Sequence, residues 1–228
     1  MNQPTPAGTN ASLQWNARLG VGFYPVQLTA ETYHQEYWDR YVSYRTHAIS
    51  SLLTQARVEL VARHWGGATL VDIGIGSGQF TECRGGTTYG YDVNPIAIRW
   101  LLDRGNWWDR YFRPAEAISC WDSLEHMERP ELLVSRVGRL IFISLPIFSG
   151  FDHALRSKHL KPKEHFWYFT REGLVRWMGR LGFRLLEENS VETDLGREDI
   201  GTFAFERVRR VRTPVPPSQA AVEGWRKC

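Results

Sequence analysis

The sequence lacks any long hydrophobic run. Its longest apolar stretch, Leu140 to Phe148, is broken by Ser144 and Pro146. That is far short of the ~20 apolar residues a bilayer span needs, so no membrane partner is expected. The start, MNQPTPAGTNASLQ, carries neither a basic nor an apolar segment, and no secretory signal is read there. Cysteine is scarce. Cys83, Cys120 and Cys228 are scattered and odd in number, which argues against a disulfide framework and a thiolate zinc site and fits a reducing cytoplasm. The body of the chain also lacks an excess of positive charge. The net charge is +3, but Arg207, Arg209, Arg210, Arg212, Arg226 and Lys227 face only Glu223 within 207–228, and the rest holds 22 basic and 24 acidic residues. The body is therefore not a basic nucleic-acid surface; the tail is either solvated or a phosphate contact.

What is present is concentrated in one segment. The apolar strand Leu70 to Ile73 runs into Gly74, Gly76 and Gly78. Glycines so spaced let the backbone bend sharply and pass close to a ligand, since no Cβ intervenes. A dinucleotide fingerprint would want glycine at 79, where Gln79 stands. The spacing instead is Asp72-x-Gly74-x-Gly76-x-Gly78, the pattern of S-adenosylmethionine (SAM) sites. No pyrophosphate needs cradling there, and Asp72 suits a cationic ligand. A second acid, Asp92, ends the strand-like Tyr89-Gly90-Tyr91, 20 residues after Asp72. In a doubly wound sheet an acid at that place can accept hydrogen bonds from both ribose hydroxyls.

The rest of the chain reads as alternating strands and helices, hence a mostly parallel sheet. Residues 1–28, rich in Pro, Gly, Asn and Thr, read as a flexible arm that docks, if at all, through Phe23, Tyr24 and Pro25. A helical cap follows over 29–66, with Thr29 as an N-cap and helices near 30–44 and 48–65. The second shows an apolar face of Ile49, Leu52, Leu53, Ala56, Leu60 and Val61. Strands are expected at 69–73, 88–92, 117–121, 139–145, 184–190 and 200–207, with a loop or short strand in 105–114. Helices are expected from 79, at 95–103, at 130–136, and at 171–181 behind Thr170. The main domain thus runs 29–207, and 208–228 reads as a disordered basic tail.

With these pieces in place, the chain resembles class I SAM-dependent methyltransferases over about residues 45–207. VDIGIGSG resembles their first motif and YGYDVNP their second. WDSLEHMERPE resembles the D-x-L-E-H stretch of a subgroup that includes small-molecule O-methyltransferases, and HFWYFTREGLVRWMGRLGF also resembles that subgroup. The resemblance implies an α/β fold, with a doubly wound, mostly parallel, seven-stranded Rossmann-like sheet and an antiparallel last strand. It implies SAM as cofactor, held by Asp72, Gly74, Gly76, Gly78, Asp92 and Asp122. Many relatives bind the adenine amino group with an acid after the third strand; here Asp109, or a ring of Trp107 or Trp108, would have to serve. The [DNS]-P-P-[YFW] motif of amino-methylating DNA enzymes is absent. Neither Cys83 nor Cys120 follows a proline, as a cytosine-C5 nucleophile would.

Methyl transfer needs alignment of acceptor and methyl group, exclusion of water, and often removal of a proton. His126, and His165 or His159 in the long connection 146–169, are the candidate catalytic residues. Each either acts as a base or only holds its loop in place. No metal site is expected, because the connection's histidines stand six apart, without the close ligand pairs a metal needs. Lys158, Lys161 and Lys163 suit an anionic acceptor or are solvated. Tyr33, Tyr37, Trp38 and Tyr41, at helical spacing, either cover SAM or form a packing stripe. The expected activity is methyl transfer to an oxygen or nitrogen of a small, anionic or nucleotide-like acceptor. The alternatives are a nucleic-acid methyltransferase and a non-catalytic partner subunit of the same fold. Oligomeric state is not legible.

Overall fold

A computed structural model of the chain describes residues 12–25, 33–109 and 113–210. It opens on a hairpin of β1 (Gln14–Asn16) and β2 (Val21–Phe23). Helices α1 (Gln35–Tyr44) and α2 (Ala48–His64) follow. Then come β3 (Leu70–Ile73), α3 (Gln79–Arg84), β4 (Thr88–Tyr91), α4 (Pro95–Asp103) and β5 (Ala117–Trp121). A 3-10 turn at Leu124–His126 leads to α5 (Pro130–Ser135) and β6 (Leu140–Pro146). The chain continues through α6 (Phe151–Arg156), β7 (Trp167–Phe169), α7 (Arg171–Arg180), β8 (Phe183–Asn189), α8 (Val191–Asp194) and β9 (Ile200–Arg207).

The main sheet has six strands in the order β4-β3-β5-β6-β9-β8. All run parallel except β9, which pairs antiparallel with both β6 and β8. The fold class is the expected one, with one strand fewer than the expected seven. Where a further strand would extend the sheet beyond β4, the chain makes only a single parallel bridge, Gly90 to Trp107. Every residue of β5 and β6 is buried, because helices cover both faces of a parallel sheet. The largest core cluster joins Val71, Ile118, Ile141, Ile143 and Phe205 to Leu174 and Met178 of α7.

Three expectations are corrected. Residues 14–23 form a hairpin and not a loose arm, and the docking runs through Phe23 and Tyr24 as expected. β2 pairs with β7, the Tyr24 amide donates to the Phe166 carbonyl at 2.8 Å, and Phe23 packs on Phe166 and Trp167. The pairing is long-range, which local composition cannot show. On α2, Ile49 and Leu52 are about half exposed, and the face that packs inward is centred on Thr54, Leu60 and Val61. The connection 146–169 is not structureless, since it contains α6 and β7. Thr29 and residues 211–228 lie outside the described residues. Arg207, counted with the basic tail, donates to the Val134 carbonyl at 2.8 Å and the Val137 carbonyl at 2.7 Å, satisfying groups at the end of α5.

Gly78 is the N-cap of α3 and sits at φ +75°; a Cβ there would lie 2.5 Å from the Trp100 ring. Left-handed backbone costs a side chain roughly 1–2 kcal/mol, and forcing atoms into a packed site adds about 1–3. Gly78→Ala is therefore expected to lower unfolding free energy by about 2–5 kcal/mol in a denaturant melt. Because Gly78 faces Trp100, ligand affinity of the folded fraction should change little. Loss of affinity without loss of stability would refute this placement.

Candidate active site

Chain order reverses at β3, whose neighbours are β4 on one side and β5 on the other. Ligand crevices open at such a switch point, outside the carboxyl ends of the strands. A cleft of about 410 Å³ lies there, within the size range of small-molecule sites. Its lining includes Gly74 and Gly76 after β3, Asp92 after β4, Asp122 to His126 after β5, and Pro146 at the end of β6. Tyr33, Tyr37, Tyr41 and Tyr44 add an aromatic wall, and His159, Lys161 and His165 come from the long connection.

The two places singled out by sequence converge. The Gly74 amide donates to the Tyr91 carbonyl at 2.8 Å, tying the glycine turn to the strand that carries Asp92. Gly74 and Gly76 take φ +79° and +55°. A Cβ on Gly74 would strike Ser123 at 2.7 Å, so this turn admits no side chain. Asp92 is 9% exposed. It accepts from the Asn94 amide at 2.8 Å and from the amides of Val93, Gly76 and Ile75. Burial raises its pKa to about 6 against the pull of those amides. Asp72 lines the cleft from below, accepts from the Ser119 hydroxyl at 2.7 Å, and is pushed by burial to about 7.

Asp122 behaves differently. It adopts φ +52°, a region Asp tolerates better than most residues, and both its oxygens are engaged. Arg197 reaches them at 2.8 and 2.9 Å and Arg57 at 3.1 Å. Although burial opposes it, these two guanidinium groups hold Asp122 down at about 2. Glu192, fully buried, accepts from Arg57 at 2.7 and 2.8 Å and also pairs with Arg197. Two cations and two anions thus close one wall of the cleft. Sequence reading missed Arg57, Glu192 and Arg197. The one available signal was Arg57, a charge one residue beyond Ala56 in the α2 face.

The candidate catalytic histidines fall at the other wall. His126 and His165 meet edge to face, ring centres 4.5 Å apart. Burial lowers His126 to about 4 and His165 to about 2, so both rings are neutral near pH 7. Glu125, 1% exposed, is raised by burial, and by the nearby Asp122 charge, to about 8. His159 lies at the rim. Its Nε2 is 2.8 Å from the Glu198 carbonyl, which only accepts, so Nε2 carries the proton and Nδ1 is the bare nitrogen. Burial lowers its pKa as well.

Tyr37 and Tyr41 stack at 4.7 Å, their hydroxyls 3.2 Å apart. Burial and its tyrosine neighbours push Tyr37 upward, so it stays a neutral phenol. Trp38 points away from them, into the core against Trp100. The packing reading holds for Trp38, whereas Tyr33, Tyr37 and Tyr41 line the cleft. Trp107 and Trp108 are absent from the cleft lining, as is Asp109. Trp107 packs beside Ile75, Ala97 and Leu101, and Trp108 stands edge-on to Tyr89.

This sheet, with a glycine turn and a buried acid at its switch point, is the architecture of class I SAM-dependent methyltransferases. The chain belongs to the methyltransferase domain family, whose profile matches residues 41–188. No curated protein matches the sequence. Among solved structures, the chain is similar to magnesium protoporphyrin IX methyltransferase from Synechocystis PCC 6803 with bound S-adenosylhomocysteine (SAH). Identity is 16%, coverage is 75% of this chain and 93% of that one, and the TM-score is 0.55. It is also similar to a possible histamine N-methyltransferase from Thermotoga maritima, at 13% identity, 75% and 97% coverage and TM-score 0.54. The N-methyltransferase NodS from Bradyrhizobium japonicum WM9, in complex with SAH, matches at 12% identity, 76% and 98% coverage and TM-score 0.54. At these identities the likeness is one of fold. Among the described residues no helix is long and apolar enough to cross a membrane.

Proposed function

We propose that the chain transfers the methyl group of SAM to an oxygen or nitrogen of a small acceptor, with the chemistry carried out in this cleft. The observation that carries the reading is the convergence of Gly74, Gly76 and Asp92 with Glu125, His126 and His165 around one space. Bound SAM supplies a methyl group on a positively charged sulfur. The residues present fit that ligand. Asp92 offers an acceptor carboxylate beside a turn that admits no side chain, and Asp72 adds a second carboxyl group to the same lining. The Arg57 and Arg197 side chains suit the carboxylate end of an amino-acid moiety, although both are already held by Asp122 and Glu192.

The acceptor then enters past Tyr37, Tyr41 and the 159–165 segment. With SAM bound, attack by the acceptor on the methyl carbon would displace the sulfur, which would leave with the electron pair. The acceptor's proton passes to a neutral histidine. His159, at the rim with a bare Nδ1, and the His126–His165 pair are the available bases. A base with pKa far below 7 is weak, so His159, the least buried of the three, is the stronger candidate. The aromatic wall and Lys161 favour a flat or anionic acceptor. The names of the similar structures, a magnesium protoporphyrin IX methyltransferase and a possible histamine N-methyltransferase, support a small molecule over a polymer.

The test is to incubate the purified chain with isotopically labelled SAM and a panel of phenolic, carboxylic and amine acceptors, following products by mass. Labelled methyl product together with SAH is the expected result. Failure to bind either SAM or SAH at millimolar concentration in calorimetry would overturn the reading.

A further inference from the structure

Glu125, His126 and His165 each direct one ligand-capable atom to a common point, all within 4.8 Å of one another. Two come from the 3-10 turn after β5. The third comes from the connection before β7, whose Phe166 amide donates to the Glu125 carbonyl at 2.8 Å and so fixes the two segments against each other. We propose that this triad binds a divalent first-row transition-metal ion in the cleft, beside the acceptor.

Three observations carry the assignment. First, the donor set is two imidazole nitrogens and one carboxylate oxygen. That set suits Mn²⁺, Fe²⁺, Co²⁺ or Zn²⁺, whereas Mg²⁺ and Ca²⁺ prefer oxygen ligands. Metal–ligand bonds of about 2.1 Å put neighbouring ligand atoms ~3.0–3.4 Å apart, so side-chain shifts of about 1 Å would complete the site. Second, the Glu125 Oε2 is buried and has no hydrogen-bond partner. A buried carboxyl left unmatched costs several kcal/mol, and a cation at this point removes that cost. Third, the neighbouring ions Arg57, Arg197, Asp122 and Glu192 are paired with one another and leave this point to the triad. Opposing charge comes from Lys161, whose ammonium lies 3.5 Å from Glu164. Three protein ligands leave further coordination positions open to an acceptor oxygen. When bound, the ion would lower that oxygen's pKa. This role rests on the methyl-transfer reading; the binding itself does not.

The test uses the full chain, stripped with chelator and titrated with Co²⁺ while its visible absorption is followed, and with Mg²⁺ as competitor. One Co²⁺ per chain is expected, undisplaced by equal Mg²⁺. His126→Ala, His165→Ala and Glu125→Gln should each weaken binding by more than the ~10–100-fold typical of losing an outer partner of a metal ligand. His153→Ala, on α6, should not. Should a variant fail to fold, pulsed electron paramagnetic resonance of Mn²⁺ on the unaltered chain gives an independent answer, and couplings to two imidazole nitrogens are expected. Absence of saturable Co²⁺ binding, or binding unchanged by all three substitutions, or no imidazole coupling, overturns the proposal. SAH calorimetry on the same samples separates the two readings. SAH binding without Co²⁺ sinks the metal site alone; Co²⁺ binding without SAH leaves it standing and sinks the methyl-transfer reading.

Discussion

Asp92→Asn should weaken SAH binding by on the order of a hundredfold while leaving the chain folded. The carboxylate sits beside the glycine turn on a residue only 9% exposed. A hydrogen bond to a charged acceptor is worth about 1.5–3 kcal/mol. Two ribose hydroxyls sharing one carboxylate therefore put roughly 2–4 kcal/mol at stake, after the asparagine oxygen has recovered part of it. Asparagine also keeps an acceptor for the Asn94 amide, bonded at 2.8 Å, so the turn should survive. The pH dependence has a definite sign. Burial raises Asp92 to about 6, so the carboxylate is ionised above that pH and protonated below it. Hydroxyl donors prefer the ionised form. SAH affinity should hold from pH 8 down to about 6 and then fall up to tenfold per unit, and the step near 6 should vanish in Asp92→Asn. Calorimetry across pH reads both. A variant that binds SAH as well as the parent would place the cofactor elsewhere.

Glu192→Ala is expected to be the most damaging single change to stability, at about 3–5 kcal/mol. Removing one partner of a buried ion network leaves the others uncompensated. Here the loss strips Arg57 of both its 2.7 and 2.8 Å bonds to Glu192 and leaves two guanidinium groups sharing Asp122 alone. For a chain of this size, each kcal/mol moves the melting temperature by roughly 2–4 °C, so a drop of about 6–20 °C should appear in a thermal scan. Glu192→Gln, similar in volume with one acceptor oxygen left, should lose less. A change below ~1 kcal/mol for the alanine variant would mean the network behaves as an exposed surface pair. The same substitution leaves both arginines to Asp122, already held near 2 by them, so its pKa should stay depressed.

The cofactor half of the site was legible because it is local. The strand, the three glycines and the second acid lie within about 20 residues of chain, and each has a backbone reason to be where it is. Gly78 belongs to that motif, yet its role is to let Trp100 approach, a contact no spacing rule reveals. The acceptor half was legible only in pieces. His126 and His165 were each singled out, but no reading of the connection's histidines among themselves could show that His165 folds back onto His126 and Glu125. The arginine wall was invisible for the same reason. Arg57 and Glu192 stand 135 positions apart, and neither is unusual in its own segment.

The sequence by itself determined the parallel sheet, the glycine turn beside it and the acid on the neighbouring strand, because strand period, left-handed glycine geometry and helix capping act over a few residues. Only the tertiary structure decided which charges pair, which histidines meet, and that the N-terminal hairpin closes on β7. Those contacts form between segments far apart in the chain, where the free energy comes from burial and charge pairing that exist only once the sheet is assembled.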